Sequence, residues 1–72
     1  LNMSDTPIQV LINQAPYTLP QGATLADAVA LAGVQPPFAA AVNLQFVPRG
    51  QYGAHALAHD DRIELISPIT GG

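Results

Sequence analysis

Apolar and polar residues alternate in two segments near the ends of this 72-residue chain, and helical periodicity is confined to one segment between them. Residues 7–13 and residues 62–66 each follow a period of two, which is typical of a strand with one face on a core. Their inward positions are Ile8, Val10, Ile12, Ile63 and Leu65. Because a chain of this length has room for only one domain, the two strands are expected to share one core.

A hairpin partner follows the first strand closely. Residues 13–15 fit a short turn, and residues 17–19 supply a second strand that ends before Pro20. Two short strands with so little chain between them predict an antiparallel pair.

One helix is predicted over about residues 24–32. Thr24 precedes the apolar series and Asp27 stands three residues later, a pattern that resembles a capping box. Gly33 follows the last periodic residue, where a left-handed conformation favours glycine. The helical stripe consists of Leu25, Ala28, Val29 and Ala32, with Leu31 widening it.

The second half of the chain contains three predicted strands, one of which is the strand at residues 62–66 described above. The strand at residues 38–43 is apolar on both faces, as in a buried strand, and a link at 44–45 leads to a short strand at 46–47. An irregular loop or single turn over 49–58 and a turn at 60–61 then precede the strand at 62–66. A helix between an initial hairpin and later strands has to cover one face of their shared sheet. The order predicts an α+β fold of the β-grasp (ubiquitin-like) kind. It has a mixed four- to five-stranded sheet, one main helix packed on one face, and the first and last strands parallel at the centre.

We expect residues 1–66 to form a single β-grasp domain, with residues 1–2 a candidate expression remnant before Met3. Residues 67–72 are too short for another element and are expected to form a flexible tail ending in Gly71-Gly72. The expected core contains Ile8, Val10, Leu25, Val29, Val42, Ile63 and Leu65.

Composition excludes several classes of function. The absence of cysteine excludes disulfides, thiolate metal sites and a catalytic thiol. Two arginines, no lysine and a net charge of −3 give no surface for following nucleic-acid phosphates. The apolar runs are too short for a membrane span and no signal sequence opens the chain, so a cytoplasmic location is expected. His55 and His59 are four apart, but the flanking sequence is not helical and no third ligand is evident. We therefore expect surface histidines and no metal site.

Five segments, mostly in the C-terminal half, resemble the ThiS family, the ubiquitin-like sulfur carriers of bacterial thiamine (thiazole) biosynthesis. They are Ala41-Val42-Asn43, Val47-Pro48-Arg49, Tyr52 with Leu57, Asp61-Arg62-Ile63-Glu64, and the terminal Gly71-Gly72. The first half agrees only in pattern, a hairpin followed by Thr24-Leu25-Ala26-Asp27. One departure is Asp60, because the family commonly has glycine before the aspartate.

This resemblance implies chemistry at the C-terminal carboxylate of Gly72. An adenylating, ubiquitin-activating-like enzyme of the ThiF type would use ATP to form an acyl-adenylate. A sulfur nucleophile would then convert it to a thiocarboxylate for a thiazole synthase of the ThiG type. The chain would be a co-substrate rather than an enzyme, with no bound cofactor and no catalytic side chain of its own. Gly71 and Gly72 would enter the partner's active site.

The expected docking residues are Phe46, Arg49, Ile66 and Ile69. Phe46 and Ile66 fall on or near a sheet face that one helix leaves open, and exposed apolar groups there would mark a docking patch. A small cluster under the loop is the alternative. Arg49 would either face an acidic surface of the partner or pair with Asp60, Asp61 or Glu64.

Other functions remain open from sequence alone. The nearest is the small subunit of molybdopterin synthase, which shares the fold and the tail; carriers for other sulfur pathways are equally compatible. A ubiquitin-like protein modifier is a further class, although the absence of lysine excludes isopeptide chains built on this protein. The last is a binding module without tail chemistry.

Overall fold

The structure, a computed structural model, describes residues 6–68. These residues form a five-stranded mixed sheet with one α-helix against one face. The elements are β1 (Ile8–Ile12), β2 (Ala15–Leu19), α1 (Leu25–Ala32), β3 (Ala39–Val42), β4 (Gln45–Val47), a 3-10 helix η1 (Arg49–Ala54) and β5 (Arg62–Ile66). The strand order is β2-β1-β5-β3-β4. β5 is parallel to β1 and antiparallel to β3, so the predicted β-grasp arrangement is confirmed.

Two-residue turns close both hairpins. Ile12 pairs with Ala15, and Val42 pairs with Gln45. The residues between them, Asn13-Gln14 and Asn43-Leu44, all have positive φ, as type I′ turns require. The predicted turn at 13–15 and link at 44–45 were therefore placed with an error of about one residue. Ala15 and Gln45 belong to strands.

β2 also begins two residues earlier than predicted and contains Pro16. A proline cannot donate to a neighbouring strand, which is why the sequence favoured a start at Tyr17. β2 is an edge strand, however, and an edge position tolerates the missing donor.

The ends of α1 follow the predicted signals. Thr24 Oγ1 accepts a hydrogen bond from the Asp27 backbone N–H at 3.4 Å, and Asp27 Oδ2 accepts one from the Thr24 N–H at 2.8 Å. Gly33 has φ 71° and donates to the Val29 carbonyl at 3.2 Å. The predicted widening of the stripe by Leu31 is wrong. Leu31 is six residues after Leu25, about 120° around the helix, and faces solvent.

The core lies between α1 and one face of the sheet. Of the expected core residues, only Val29 is not fully buried; it is half-buried and packs against the core's edge. The prediction that residues 38–43 form a strand buried on both faces is also wrong. In β3, Ala40 and Val42 point to the core while Ala39 is exposed, because α1 covers only one side of the sheet.

The segment predicted as an irregular loop begins with η1 and then returns to the start of α1. The Leu25 N–H donates to the His55 carbonyl and the Leu57 N–H donates to the Ala23 carbonyl, both at 2.9 Å. Leu57 is buried in the core. At the following turn Asp60 has φ 71°, a conformation that suits glycine and that aspartate also adopts, so the departure at this position keeps the turn. Within residues 6–68, no helix is long and apolar enough to cross a membrane.

Candidate interaction surface

The sheet face opposite α1 is uncovered. We call it the open sheet face, and it consists of the outward residues of β1, β3, β4 and β5: Gln9, Leu11, Ala39, Ala41, Phe46, Arg62, Glu64 and Ile66. Phe46 is 68% exposed and Ile66 is 59% exposed, whereas their sequence neighbours Val47 and Leu65 are buried. Phe46 and Ile66, two of the four predicted docking residues, therefore lie on this one face rather than in a cluster under the loop.

Small residues separate the two large apolar side chains. Ala41 pairs with Phe46 on one side and with Glu64 on the other, and Ala39 pairs with Ile66. Each alanine carries only a methyl group, so the middle of the face is shallow and Phe46 and Ile66 stand above it. Projecting apolar side chains around a shallow surface are suited to contact with another protein.

Two asparagines hold β5 in place from either side. β1 pairs with β5 at only two positions, and beyond them the Asn13 side chain forms hydrogen bonds to β5 in place of the strand backbone. Its Oδ1 accepts from the Leu65 N–H at 2.9 Å and its Nδ2 donates to the Leu65 carbonyl at 3.2 Å. On the other side, Asn43 Oδ1 accepts from the Arg62 N–H at 2.9 Å. The strand that leads into the tail therefore has a fixed position.

This pair of asparagine contacts was missed by sequence reasoning. The available signal was asparagine at the first position of a two-residue turn, since asparagine tolerates positive φ. Asn43 Nδ2 also donates to Asp61 Oδ1 at 2.9 Å, and Asp61 Oδ2 accepts from the Ala58 N–H at 2.8 Å. The Asp61 carboxylate thus fixes the turn before β5.

β5 ends at Ile66, and Ser67 and Pro68 continue as exposed chain outside any strand. The predicted site residues Ile69, Gly71 and Gly72 lie outside the described residues.

Arg49 lies away from the open sheet face. It begins η1 and lines a groove of about 380 Å³ together with Val29 of α1. The rings of Phe38 and Tyr52 stack in the same groove with centroids 6.0 Å apart. Within residues 6–68, no salt bridge joins Arg49 to Asp60, Asp61 or Glu64. The structure therefore brings Phe46 and Ile66 together and places Arg49 on the helix side.

The two histidines take part in local structure. His59 Nδ1 accepts a hydrogen bond from the Gln9 N–H at 3.1 Å, and its Nε2 lies 3.4 Å from Asp60 Oδ1. His55 is half-buried and contributes its carbonyl to the start of α1. In the described part of the chain, no three metal-ligating side chains come together.

Comparisons with known proteins agree with this geometry. The sequence model of the ThiS family matches residues 10–72. The fold is similar to the crystal structure of a thiamine biosynthesis protein (ThiS) from Geobacter metallireducens, with a TM-score of 0.70 and 18% identity. That alignment covers 90% of this chain and 100% of the other. A search of curated proteins gives no match.

Proposed function

Because the chain belongs to the ThiS family of small sulfur carriers, we propose that it carries sulfur for thiamine biosynthesis on the C-terminal carboxylate of Gly72. The observation that carries the proposal is the family match, which extends through Gly71 and Gly72. The chain has no cysteine, so a thiol cannot hold the sulfur.

The proposed chemistry begins with an activating enzyme of the ThiF type. A Gly72 carboxylate oxygen attacks the α-phosphorus of ATP, the bond to pyrophosphate breaks, and an acyl-adenylate forms. Hydrosulfide from a sulfur donor then attacks the carbonyl carbon, AMP leaves and a proton is released, which produces a thiocarboxylate. Adenylation is needed because a free carboxylate is a poor electrophile. ATP belongs to the activating enzyme, and the carrier is a co-substrate without catalysis of its own.

The residues near the end of the chain suit this role. Glycine at positions 71 and 72 has no Cβ, so backbone and active site can approach closely. Pro68 restricts the root of the tail, which lowers the entropy lost when the tail is ordered in a partner. The thiocarboxylate is then delivered to a thiazole synthase of the ThiG type. We expect this exchange to take place in the cytoplasm, where ATP is available.

Docking is proposed on the open sheet face. Phe46 and Ile66 supply its exposed apolar area, and Ile66 belongs to the strand that leads to the tail. Ile69 would follow the tail into the partner. Arg49 is on the opposite layer, so it contributes only if the partner reaches around to the groove beside α1.

Adding one alanine after Gly72 tests the proposal. The new carboxylate is displaced by roughly 3.5 Å and an amide replaces the original one. Because a misplacement of about 1 Å can cost on the order of a hundredfold in rate, adenylation should be lost. The assay is ATP–pyrophosphate exchange with the activating enzyme from the same organism. Intact-mass measurement of the native chain should then detect replacement of oxygen by sulfur.

Gly72→Ala provides a length-matched control, because it keeps the carboxylate at the same position in the chain. It should retain measurable exchange, and circular dichroism should show that both variants fold. Full exchange by the extended chain would overturn the proposal. So would failure to detect sulfur on Gly72 with enzyme, ATP and sulfur donor present.

A further inference from the structure

Leu44 occupies an unfavourable position for a leucine. It is the second residue of the β3–β4 turn and has φ 70°. At such a position a Cβ crowds the backbone, so glycine or asparagine is favoured and a bulky apolar residue is an outlier. The turn itself therefore gives no reason for a leucine.

Burial gives no reason either. Leu44 is 81% exposed, the highest value among the large apolar side chains of the described residues. The β1–β2 turn offers a direct comparison, because Gln14 holds the same position there with φ 73° and is also exposed. The backbone strain is the same in both turns, but only Leu44 adds an apolar side chain that folding leaves in water.

The surroundings of Leu44 indicate what could cover it. Together with Asn43, Asp60 and Arg62 it lines a shallow hollow of about 260 Å³. Arg62 is exposed, belongs to the open sheet face, and has no ion pair within residues 6–68. Phe46 begins the apolar part of that face two residues after Leu44. An apolar contact at Leu44 would therefore be continuous with the open sheet face and would have both the Arg62 guanidinium and the Asp60 carboxylate beside it.

We propose that Leu44 is a specificity-determining anchor for the activating enzyme, which covers it with an apolar recess bordered by a carboxylate that pairs with Arg62. This inference rests on the proposed function. A second copy of the chain is a poorer occupant, because each copy carries a net charge of −3 and like-charged copies repel. Leu44 would extend the docking surface of Phe46 and Ile66 from the strands to the β3–β4 turn.

The test uses full-length chains and the activating enzyme from the same organism. Leu44→Gly removes the apolar side chain and relieves the turn. We expect its melting temperature to equal or exceed that of the native chain. Its Kd for the enzyme should rise about ten- to a hundredfold, as for the loss of one buried leucine. In ATP–pyrophosphate exchange, the KM for the carrier should rise in proportion while kcat changes less than twofold.

Two matched variants separate anchoring from general effects. Gln14→Gly makes the same backbone change in the other hairpin, and Leu31→Ala shortens an exposed leucine on α1. Both should bind the enzyme as the native chain does.

Arg62→Gln should raise the Kd, and the salt dependence of binding should decrease because the ion pair is lost.

A Leu44→Gly variant that binds within twofold of the native chain would overturn the inference. A clearly lower melting temperature for this variant would do so as well, because Leu44 would then serve the fold. If Leu44→Gly weakens binding only to a thiazole synthase, Leu44 contacts that enzyme and not the activating enzyme, and the inference is also overturned. Failure of the native chain to be adenylated would instead remove the proposed function, and that outcome is visible without any Leu44 variant.

Discussion

Asparagine has two roles at the first position of each hairpin turn. Its backbone accepts positive φ, with values of 50° at Asn13 and 51° at Asn43. Its side chain reaches β5, where it bonds to Leu65 or to Arg62 in the manner of a neighbouring strand. A different residue would lose the amide contacts, the backbone tolerance, or both.

Replacing Asn13 by alanine should lower the free energy of unfolding by about 2–3 kcal/mol. About 1 kcal/mol is expected for each of the two hydrogen bonds, and alanine tolerates positive φ less well than asparagine, which adds to that. Asn13→Gly also loses both hydrogen bonds but accepts positive φ without strain, so it should cost less than Asn13→Ala. Urea denaturation at neutral pH measures both. The interpretation fails if Gly proves as costly as Ala.

Sequence reasoning could place a turn at Asn13 but could not find its partner. The contact joins residues 52 positions apart, and no local pattern carries that information. The same limit applies to the hydrogen bond between Asn43 and Asp61, which joins residues 18 positions apart. The bond from the Ala58 N–H to Asp61, by contrast, is local to one turn. Exposure of Phe46 and Ile66 was accessible from sequence, because it follows from strand alternation and from the presence of only one predicted helix.

Among the elements, α1 depends on its ends because it has only eight residues. A helix this short is unstable alone and needs its caps and its packing. Gly33 supplies the left-handed residue after α1, with open space where a Cβ would stand. The preference for glycine there is therefore conformational and not steric.

Gly33→Ala should cost about 1 kcal/mol, the usual penalty of a left-handed alanine. Gly53→Ala is a suitable comparison, since a Cβ there also meets nothing within 4 Å and no left-handed φ is involved. This second change should be neutral or stabilise by up to about 1 kcal/mol, because it restricts the unfolded chain. In thermal melts, the melting temperature should fall for Gly33→Ala and should stay the same or rise for Gly53→Ala. A loss of stability in both variants would mean that the cost of adding a Cβ comes from packing and not from the backbone φ.

Strand boundaries were less predictable than the helix because context overrides local preference there. Pro16 reads as a strand breaker, yet at an edge its missing donor faces solvent. Gln45 reads as part of a link, yet the type I′ turn takes only two residues and leaves Gln45 to pair with Val42. Both differences depend on where a strand lies in the sheet, and this position cannot be inferred from the sequence of the strand itself.

Across the domain, an eight-residue helix faces a sheet of five strands. Strands spaced about 4.8 Å apart make such a sheet far wider on both faces than one helix of about 10 Å diameter can cover. The helix and the segment from η1 to Leu57 close one face, and nothing in the described residues closes the other. The open sheet face is thus a consequence of having so few elements.

Ile66→Asp should weaken binding of the activating enzyme at least tenfold and leave the fold intact, because Ile66 is 59% exposed. Ile63 lies on the same strand and is 0% exposed, so Ile63→Asp should instead prevent folding. Circular dichroism melts and a binding titration distinguish the two. If Ile66→Asp unfolds the domain, the side chain supports the core and the open face is misassigned.

The central position of β5 also determines when the domain can form during synthesis. The two hairpins, β1–β2 and β3–β4, are joined into one sheet only through β5. A growing polypeptide that has emerged as far as η1 therefore has two separate hairpins, each with an unpaired edge open to aggregation. Pairing between distant segments is also slow compared with local helix formation. Folding must wait until residue 66 has left the ribosome, so a nascent chain that stalls before β5 should be a target for chaperones and proteases.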